Sequence, residues 1–282
     1  MSLENTTIVI RKTNCDGIGN VLKGFISALS INNDVVIECN KEYMYGNYDT
    51  ILDSKYIYNN NILNNNKKKQ YFYTCRLLVL LSEENEQENI YNEFQHTNGC
   101  GNNELNHYFS FKKLIDWNYD STIICNKIKT RIINIIQNIQ FSPIIIDNVS
   151  KYINDNNINK NTLGVSVRTW KGAHENNINR EYNFQVYNDK ILDVLCENKF
   201  IDKIIFSFDN YNVENDYINL CEKNKINYII LKKPDYMNDL QYALFKIMIL
   251  SNCSSCIANR ISTFSELIFW FSYCKIKMFP LF

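Results

Sequence analysis

From residue 162 to the C-terminus, short apolar runs alternate with longer segments in which apolar residues recur every three or four positions. The short runs predict strands and the longer segments predict amphipathic helices. The predicted strands are 162–168, 203–209, 227–231, 256–259 and 276–281, and the predicted helices are 184–197, 213–224, 239–250 and 263–272. Strands separated by helices at this spacing predict a parallel, Rossmann-like sheet.

The first forty residues show the same alternation on a smaller scale. The runs "TTIVI" (6–10) and "VVIEC" (35–39) predict two strands, and apolar residues recur at helical spacing from 22 to 29 between them. The turn "CDGIGN" (15–20) joins the first strand to this helix, and Asn20 is predicted as its N-cap. This βαβ start brings a helix N-terminus, which attracts anions, next to the turn.

The pattern weakens between about residues 40 and 118, where asparagine- and lysine-rich stretches indicate a surface excursion. Helical spacing returns over 123–139, and Ser142-Pro143 ends that helix before another one that continues to about Ile153. The polar stretch "NDNNINKN" (154–161) follows. We therefore predict two α/β domains, 1–153 and 154–282, as the length of the chain leads one to expect.

Composition and charge exclude several classes of protein. Thirty basic residues balance thirty acidic ones, so no overall field favours nucleic acid or an anionic membrane. The chain opens without an apolar signal-peptide core, and its apolar runs are too short to cross a bilayer. Its ten scattered cysteines predict reduced core thiols, and Cys253 with Cys256 supplies only two of the four ligands of structural zinc. We expect a cytoplasmic protein without a metal site.

The candidate chemistry lies at the predicted carboxyl ends of strands. Arg168 ends one strand, Asp209 ends the next, and "NRISTFS" (259–265) follows a fourth and precedes a helix. Each feature alone has an ordinary explanation, as a surface arginine, a strand-end carboxylate or helix-capping hydroxyls. Parallel sheets of this kind bind ligands beyond the carboxyl ends of their strands. A charge, hydroxyls and a helix N-terminus at one edge predict a phosphate-binding site.

The turn "GIGN" (17–20) is not a dinucleotide-binding fingerprint. The pattern G-x-G-x-x-G requires a third glycine at position 22, where this sequence has Leu22. The hypothesis that the protein is a dehydrogenase therefore loses its main support in the sequence.

Taken together, three segments resemble the superfamily of GDP-fucose-dependent fucosyltransferases, which includes α1,2 and α1,6 enzymes, nodulation fucosyltransferases and protein O-fucosyltransferases. "DGIGNVLKGFISAL" resembles the G-x-G-N-x-L turn and helix of that family, and "GVSVRTW" resembles its H-x-R motif. "IIFSFD", followed by "DLQYALFKIMILSNCSSCIANRISTFSELIFWF", resembles the strand that ends in Asp and the later S-T-F-S segment.

The resemblance implies a GT-B-like α/β architecture, with two Rossmann-like domains facing across a cleft. The N-terminal domain would serve the acceptor, and the C-terminal one would hold the nucleotide-sugar donor. Arg168 matches the arginine that contacts the donor pyrophosphate, and Asp209 matches an aspartate near the base or ribose. The other matching positions are Ser166 in the H-x-R motif, Ser262, Thr263, Phe264 and Ser265 around the pyrophosphate, and Gly17, Gly19 and Asn20 in the cleft turn.

The implied activity is transfer of fucose from GDP-fucose to a hydroxyl of a glycan acceptor, with inversion and without a metal or other cofactor. No Asp-x-Asp motif of metal-dependent glycosyltransferases is present. His174 and Glu175 are the candidate general bases because they are close to Arg168 in sequence.

Two departures from the family pattern keep other functions open. Ser166 stands where the family often has histidine, and Thr169 stands where a second arginine is common. The alternatives are a transferase that uses another GDP- or UDP-sugar, and a nucleotide- or carbohydrate-binding protein of the same fold that has lost catalysis. An unrelated α/β protein would match these motifs only by chance.

Overall fold

A computed structural model of the chain describes residues 6–11, 17–38, 47–58, 68–73, 119, 121–122, 126–169, 182–260 and 262–281. These residues divide into two compact units. The first contains the described residues within Met1–Asp116 and Asp120–Asn148, together with Asp235–Leu244. The second contains Tyr119, Val149–Pro234 and the described residues from Phe245 onward. The domain limits 1–153 and 154–282 stay a prediction.

A three-stranded parallel sheet in the order β2-β1-β3 forms the centre of the first unit. The elements up to the start of the second sheet are β1 (Thr6–Arg11), α1 (Ile18–Ile31), β2 (Val35–Ile37), β3 (Lys68–Tyr73), α2 (Asn126–Asn138) and α3 (Pro143–Asp155). The middle strand β1 buries Ile8, Val9 and Ile10 almost completely, and α1 buries the apolar side of its helix against the same unit. The predicted βαβ start is confirmed.

Helix α1 begins at Ile18, and its N-cap is Gly17 rather than Asn20. Asn20 lies in the first helical turn, where its backbone N–H donates to Gly17 O at 3.1 Å. The prediction of Asn20 as N-cap was wrong because the apolar face already includes Ile18, which is buried. The helix must therefore start early enough to bring that side chain against the core.

The elements from residue 162 onward alternate regularly. They are β4 (Thr162–Val167), α4 (Phe184–Glu197), β5 (Lys203–Phe208), α5 (Glu214–Asn224), β6 (Asn227–Ile230), α6 (Asp239–Ser251), β7 (Ser255–Asn259), α7 (Thr263–Phe271) and β8 (Lys277–Leu281). Each one confirms a predicted strand or helix, with ends that differ by a residue or so. No helix among the described residues is both long enough and apolar enough to cross a membrane.

The second unit is built on a five-stranded parallel sheet in the order β6-β5-β4-β7-β8. The chain runs outward from β4 to β6 and then returns to the other side of β4 for β7 and β8. The strand order therefore reverses between β4 and β7, which is the switch point where such sheets open a ligand crevice. The backbone pairing of these two strands ends at Val165 and Ile257, before β4 itself ends.

Aromatic side chains fill the core on one face of this sheet. Phe208 packs against Tyr217 with ring centroids 5.2 Å apart, and Tyr187 and Tyr217 lie 6.1 Å apart. Both tyrosines are fully buried, and burial raises the pKa of each phenol far above its usual value. Their hydroxyls are therefore neutral at physiological pH.

Gly164 allows helix α6 to approach strand β4 closely. A Cβ at this position would lie 3.0 Å from Leu250 Cδ2 and 3.4 Å from the sulfurs of Cys253 and Cys256. Both thiols are buried in this contact, and burial raises the pKa of Cys256 to about 12 and that of Cys253 well above its usual value. The contact gives these two cysteines the structural role of core thiols.

We expect Cys253 and Cys256 to resist alkylation in the native protein at pH 8, whereas the exposed Cys196 reacts. The thiolate is the reactive form, and raised pKa values keep both buried thiols protonated at that pH. Iodoacetamide labelling followed by peptide mass spectrometry, with and without urea, measures each site. Rapid native labelling of Cys256 at a rate equal to that of Cys196 would contradict the packing.

Candidate active site

Two predicted donor-site residues, a further arginine and a helix N-terminus lie at one edge of the five-stranded sheet. Arg168 directly follows β4, Asp209 follows β5, Arg260 follows β7, and α7 begins three residues after Arg260. Because the strands are parallel, their carboxyl ends share this edge. The switch point between β4 and β7 lies between Arg168 and Arg260.

Asp209 binds the residue next to Arg168. Its two carboxylate oxygens accept hydrogen bonds from the backbone N–H of Thr169 at 2.9 and 3.0 Å, and Thr169 Oγ1 donates to Oδ1 at 2.9 Å. The helical turn after β5 is capped instead by Asn210, whose side chain accepts from Asn212 N–H. Asp209 is thus not a helix cap, and it holds the chain immediately after Arg168 against the end of β5.

Tyr187 joins the ends of β4 and β7. Its buried hydroxyl accepts a hydrogen bond from the backbone N–H of Arg168 at 3.2 Å and donates to Asn259 Oδ1 at 2.7 Å. Asn259, the last residue of β7, is itself buried. Since backbone pairing between the strands has already ended, one phenol hydroxyl bridges the opening at the switch point.

The N-terminus of α7 presents backbone donors at the same edge. Ser262 occupies the N-cap position with an extended backbone, but its side chain makes no capping hydrogen bond. A helix has N–H groups in its first turn without intrahelical acceptors, and they carry partial positive charge. The buried hydroxyl of Ser262 therefore leaves these N–H groups for another acceptor, such as a phosphate oxygen.

Lys246 supplies a further positive charge near this edge. Its ammonium group donates to the carbonyl of Phe208, the last residue of β5, at 3.3 Å. It also lies 5.8 Å from the ring centroid of Phe264 in the first turn of α7. The lysine is half-buried, so its charge is only partly screened by solvent.

The remaining predicted residues fall in three places. Ser166 is buried within β4, one strand position before its last residue. Gly17, Gly19 and Asn20 lie in the first unit, at the start of α1. His174 and Glu175 lie outside the described residues, so their roles as candidate bases stay predictions.

The residues that the sequence analysis did not assign to the site are Tyr187, Asn259, Arg260 and Lys246, and Thr169 was noted only as a departure from the family pattern. Tyr187 occurs at an apolar position of the predicted helix 184–197, in line with the buried Ile191 and Val194. A hydroxyl on the buried face of a helix requires a partner, and that requirement is the signal in the sequence that could have identified it. Thr169 adjoins Arg168, and Arg260 lies two residues before Ser262, which is a weaker signal.

A cavity of about 1160 Å³ lies elsewhere, in the first unit, between the end of α1, the start of β2 and helix α2. It is lined by residues that include Asp34, Arg131 and Asn134, and by none of the predicted donor-site residues. The cavity borders the amino end of β2, whereas α/β sheets bind ligands beyond the carboxyl ends of their strands. No cluster of three or more His, Cys, Asp or Glu side chains suited to a metal occurs in the described part of the chain.

Comparison with known proteins gives matches at the level of structure. No protein-family model and no curated protein matches the sequence. The structure of POFUT1 in complex with GDP-fucose matches with a TM-score of 0.53 and 12% identity, covering 99% of both chains. The structure of fucosyltransferase NodZ from Bradyrhizobium matches with a TM-score of 0.51 and 14% identity, covering 93% of this chain and 92% of that one.

A further structure, NodZ alpha-1,6-fucosyltransferase co-crystallized with GDP, matches with a TM-score of 0.51 and 13% identity, covering 93% of this chain and 91% of that one. The similarity extends over nearly the whole of each protein. It confirms the predicted GT-B-like α/β fold and confirms, at the level of fold, the resemblance to fucosyltransferases.

Proposed function

We propose that this chain is a glycosyltransferase that moves fucose from GDP-fucose to a hydroxyl of a glycan acceptor. The observation that carries the proposal is the position of Arg168, at the carboxyl end of β4 beside the switch point of a fold whose solved relatives hold GDP-fucose or GDP. The arginine follows the strand at the edge where α7 begins with backbone donors. This arrangement suits a diphosphate.

Arg168 would stabilise the departing GDP. Transfer breaks the bond between the anomeric carbon of fucose and the diphosphate oxygen, whose electrons leave with the diphosphate. A guanidinium is charged at every accessible pH and can bind two of its oxygens at once. Tyr187 binds the backbone N–H of this arginine, and Asp209 binds that of the next residue, so the chain that carries the charge is held before the reaction begins.

The acceptor hydroxyl would attack the anomeric carbon from the side opposite the diphosphate, which inverts the configuration. Its proton would pass to a general base, for which His174 and Glu175 are the candidates from the sequence. Protein cations and helix N–H groups would supply the positive charge that a metal supplies in other transferases. Metal independence and inversion are parts of the proposal that the resemblance implies.

The serine at position 166 bears on the identity of the donor. Ser166 replaces a histidine that the family often uses in its H-x-R motif, and its buried position in β4 sets its hydroxyl among strand residues. A transferase that uses a different GDP-sugar or a UDP-sugar is therefore the second candidate. Titration with GDP and UDP tests for a UDP-sugar donor, and turnover assays with different GDP-sugars identify the sugar.

We expect selective binding of GDP that persists in excess EDTA. Calorimetric titration with GDP, UDP and GMP, each with and without chelator, measures it directly. GDP should bind more tightly than GMP because the diphosphate contributes charge-assisted hydrogen bonds. Preference for UDP would assign another donor, loss of binding in EDTA would contradict metal independence, and absence of binding by all nucleotides would overturn the proposed function.

A further inference from the structure

The geometry points to Arg260 as a second diphosphate-binding arginine, paired with Arg168 across the switch point. This inference rests on the proposed function and extends it to a residue that neither the motifs nor the resemblance assigned. The reason for a second arginine is the negative charge of the diphosphate that the site would bind. A sugar-linked diphosphate is doubly charged and becomes more negative as the sugar leaves, so a single guanidinium leaves much of that charge uncompensated.

The register of the sheet sets the two arginines opposite each other. In the parallel pair, Leu163 lies beside Ser255 and Val165 beside Ile257. Continuing the same offset three residues further brings Arg168 opposite Arg260. Paired parallel strands lie about 4.8 Å apart, and beyond Val165 and Ile257 the two chains continue from matched positions without backbone pairing.

Tyr187 fixes the separation of the two strand ends. Its single hydroxyl binds the backbone N–H of Arg168 and the side chain of Asn259, the residue before Arg260. Both of these atoms therefore lie within 3.2 Å of one oxygen. The bridge holds the arginine-bearing ends next to each other while leaving the crevice between them without a backbone ladder.

The backbone of Arg260 is held independently of its side chain. Its N–H donates to Leu281 O at 2.8 Å in the neighbouring strand β8, and its carbonyl accepts from the buried Tyr119 hydroxyl at 3.0 Å. The residue itself is exposed. The backbone of Arg260 is therefore fixed at this edge of the sheet, and fixing the backbone in advance lowers the entropy cost of binding.

Two arginines on opposite sides of a crevice can hold a diphosphate from both sides. Arg168 and Arg260 could each bind non-bridging oxygens, with the N–H groups of α7 on the same edge.

Calorimetry with GDP, UDP and inorganic diphosphate tests Arg260 directly. We expect Arg260→Ala to weaken binding of these ligands by about tenfold or more, since charge-assisted hydrogen bonds to the diphosphate are lost. Arg260→Lys should bind with intermediate affinity, because it keeps the charge and loses the fork. Both variants keep the backbone hydrogen bonds of residue 260 and should remain folded, which thermal denaturation checks.

Lys199→Ala is the matched control. Lys199 is exposed in the loop before β5, at the opposite edge of the sheet, and its removal changes the net charge by the same amount. Equal weakening by Lys199→Ala would assign the effect to net charge and overturn the role of Arg260. Wild-type affinity for the diphosphate ligands in Arg260→Ala would also overturn the role of Arg260. Failure of the wild-type protein to bind any nucleoside diphosphate would instead overturn the proposed function itself.

Discussion

Replacing Arg168 with alanine should lower turnover of GDP-fucose by roughly a hundredfold to a thousandfold while the protein stays folded. Loss of one preorganised donor to a developing oxyanion costs about 2.7–4 kcal/mol of transition-state stabilisation. The hydrogen bond that joins this residue to Tyr187 is made by its backbone N–H, so the alanine variant keeps it.

The effect of Arg168→Ala on turnover is measured as the rate at which GDP is released from GDP-fucose, with and without a glycan mixture. Arg168→Lys should also have low turnover, because an ammonium is a point charge and cannot bind two oxygens at once as the planar guanidinium does. Lys199→Ala should retain full turnover. Near-normal turnover by Arg168→Ala, in a preparation whose wild-type counterpart is active, would remove this arginine from the mechanism.

The periodic elements of the second unit could be predicted because their signals are local. β4 is buried at every position and β5 at all but its first, so each appears in the sequence as a short apolar run. Helix α4 shows its buried side chains at helical spacing, with Tyr187, Ile191 and Val194 facing the core. Alternation of such elements is sufficient to indicate a parallel sheet and therefore which ends of the strands share an edge.

The first unit was predicted less completely because its strands carry weaker signals. Strand β3 (Lys68–Tyr73) lies in the asparagine- and lysine-rich region and reads "KKQYFY", without an apolar run. It becomes a strand by pairing in register with the buried β1, from Thr6 with Lys68 to Arg11 with Tyr73. Pairing with a partner distant in sequence decides its conformation, and a local pattern does not contain that information.

The predicted site lacked the residues that connect its parts. Arg168 and Asp209 were found because each ends a strand, but the bond from Asp209 to Thr169 depends on how two loops meet in space. Tyr187 is nineteen residues from Arg168 and seventy-two from Asn259, and its role arises only when the helix packs against the sheet. Strand ends can be read from a sequence, whereas the hydrogen bonds that set their spacing require the tertiary structure.

Replacing Tyr187 with phenylalanine should lower both the free energy of unfolding and the affinity for GDP. The ring remains, so packing against Tyr217 is kept, but Asn259 Oδ1 loses a donor and the Arg168 N–H loses an acceptor. Leaving a buried polar group without its partner costs about 1–3 kcal/mol. Because the same bridge holds Arg168 and Arg260 across the crevice, its loss should also weaken diphosphate binding, which a purely structural hydroxyl would not affect.

Urea denaturation and calorimetry with GDP, carried out well below the melting temperature, separate the two effects of Tyr187→Phe. Tyr217→Phe is the matched control, since Tyr217 is equally buried in the same core and its hydroxyl contacts Tyr182 at 3.4 Å rather than the strand ends.

Burial keeps the Tyr187 phenol protonated, so the difference from wild type should be the same from pH 6 to pH 9. Combining Tyr187→Phe with Asn259→Leu removes both partners and should recover part of the stability without recovering the affinity. A Tyr187→Phe protein that loses stability but binds GDP as wild type does would show that the bridge supports the fold and does not position the arginines.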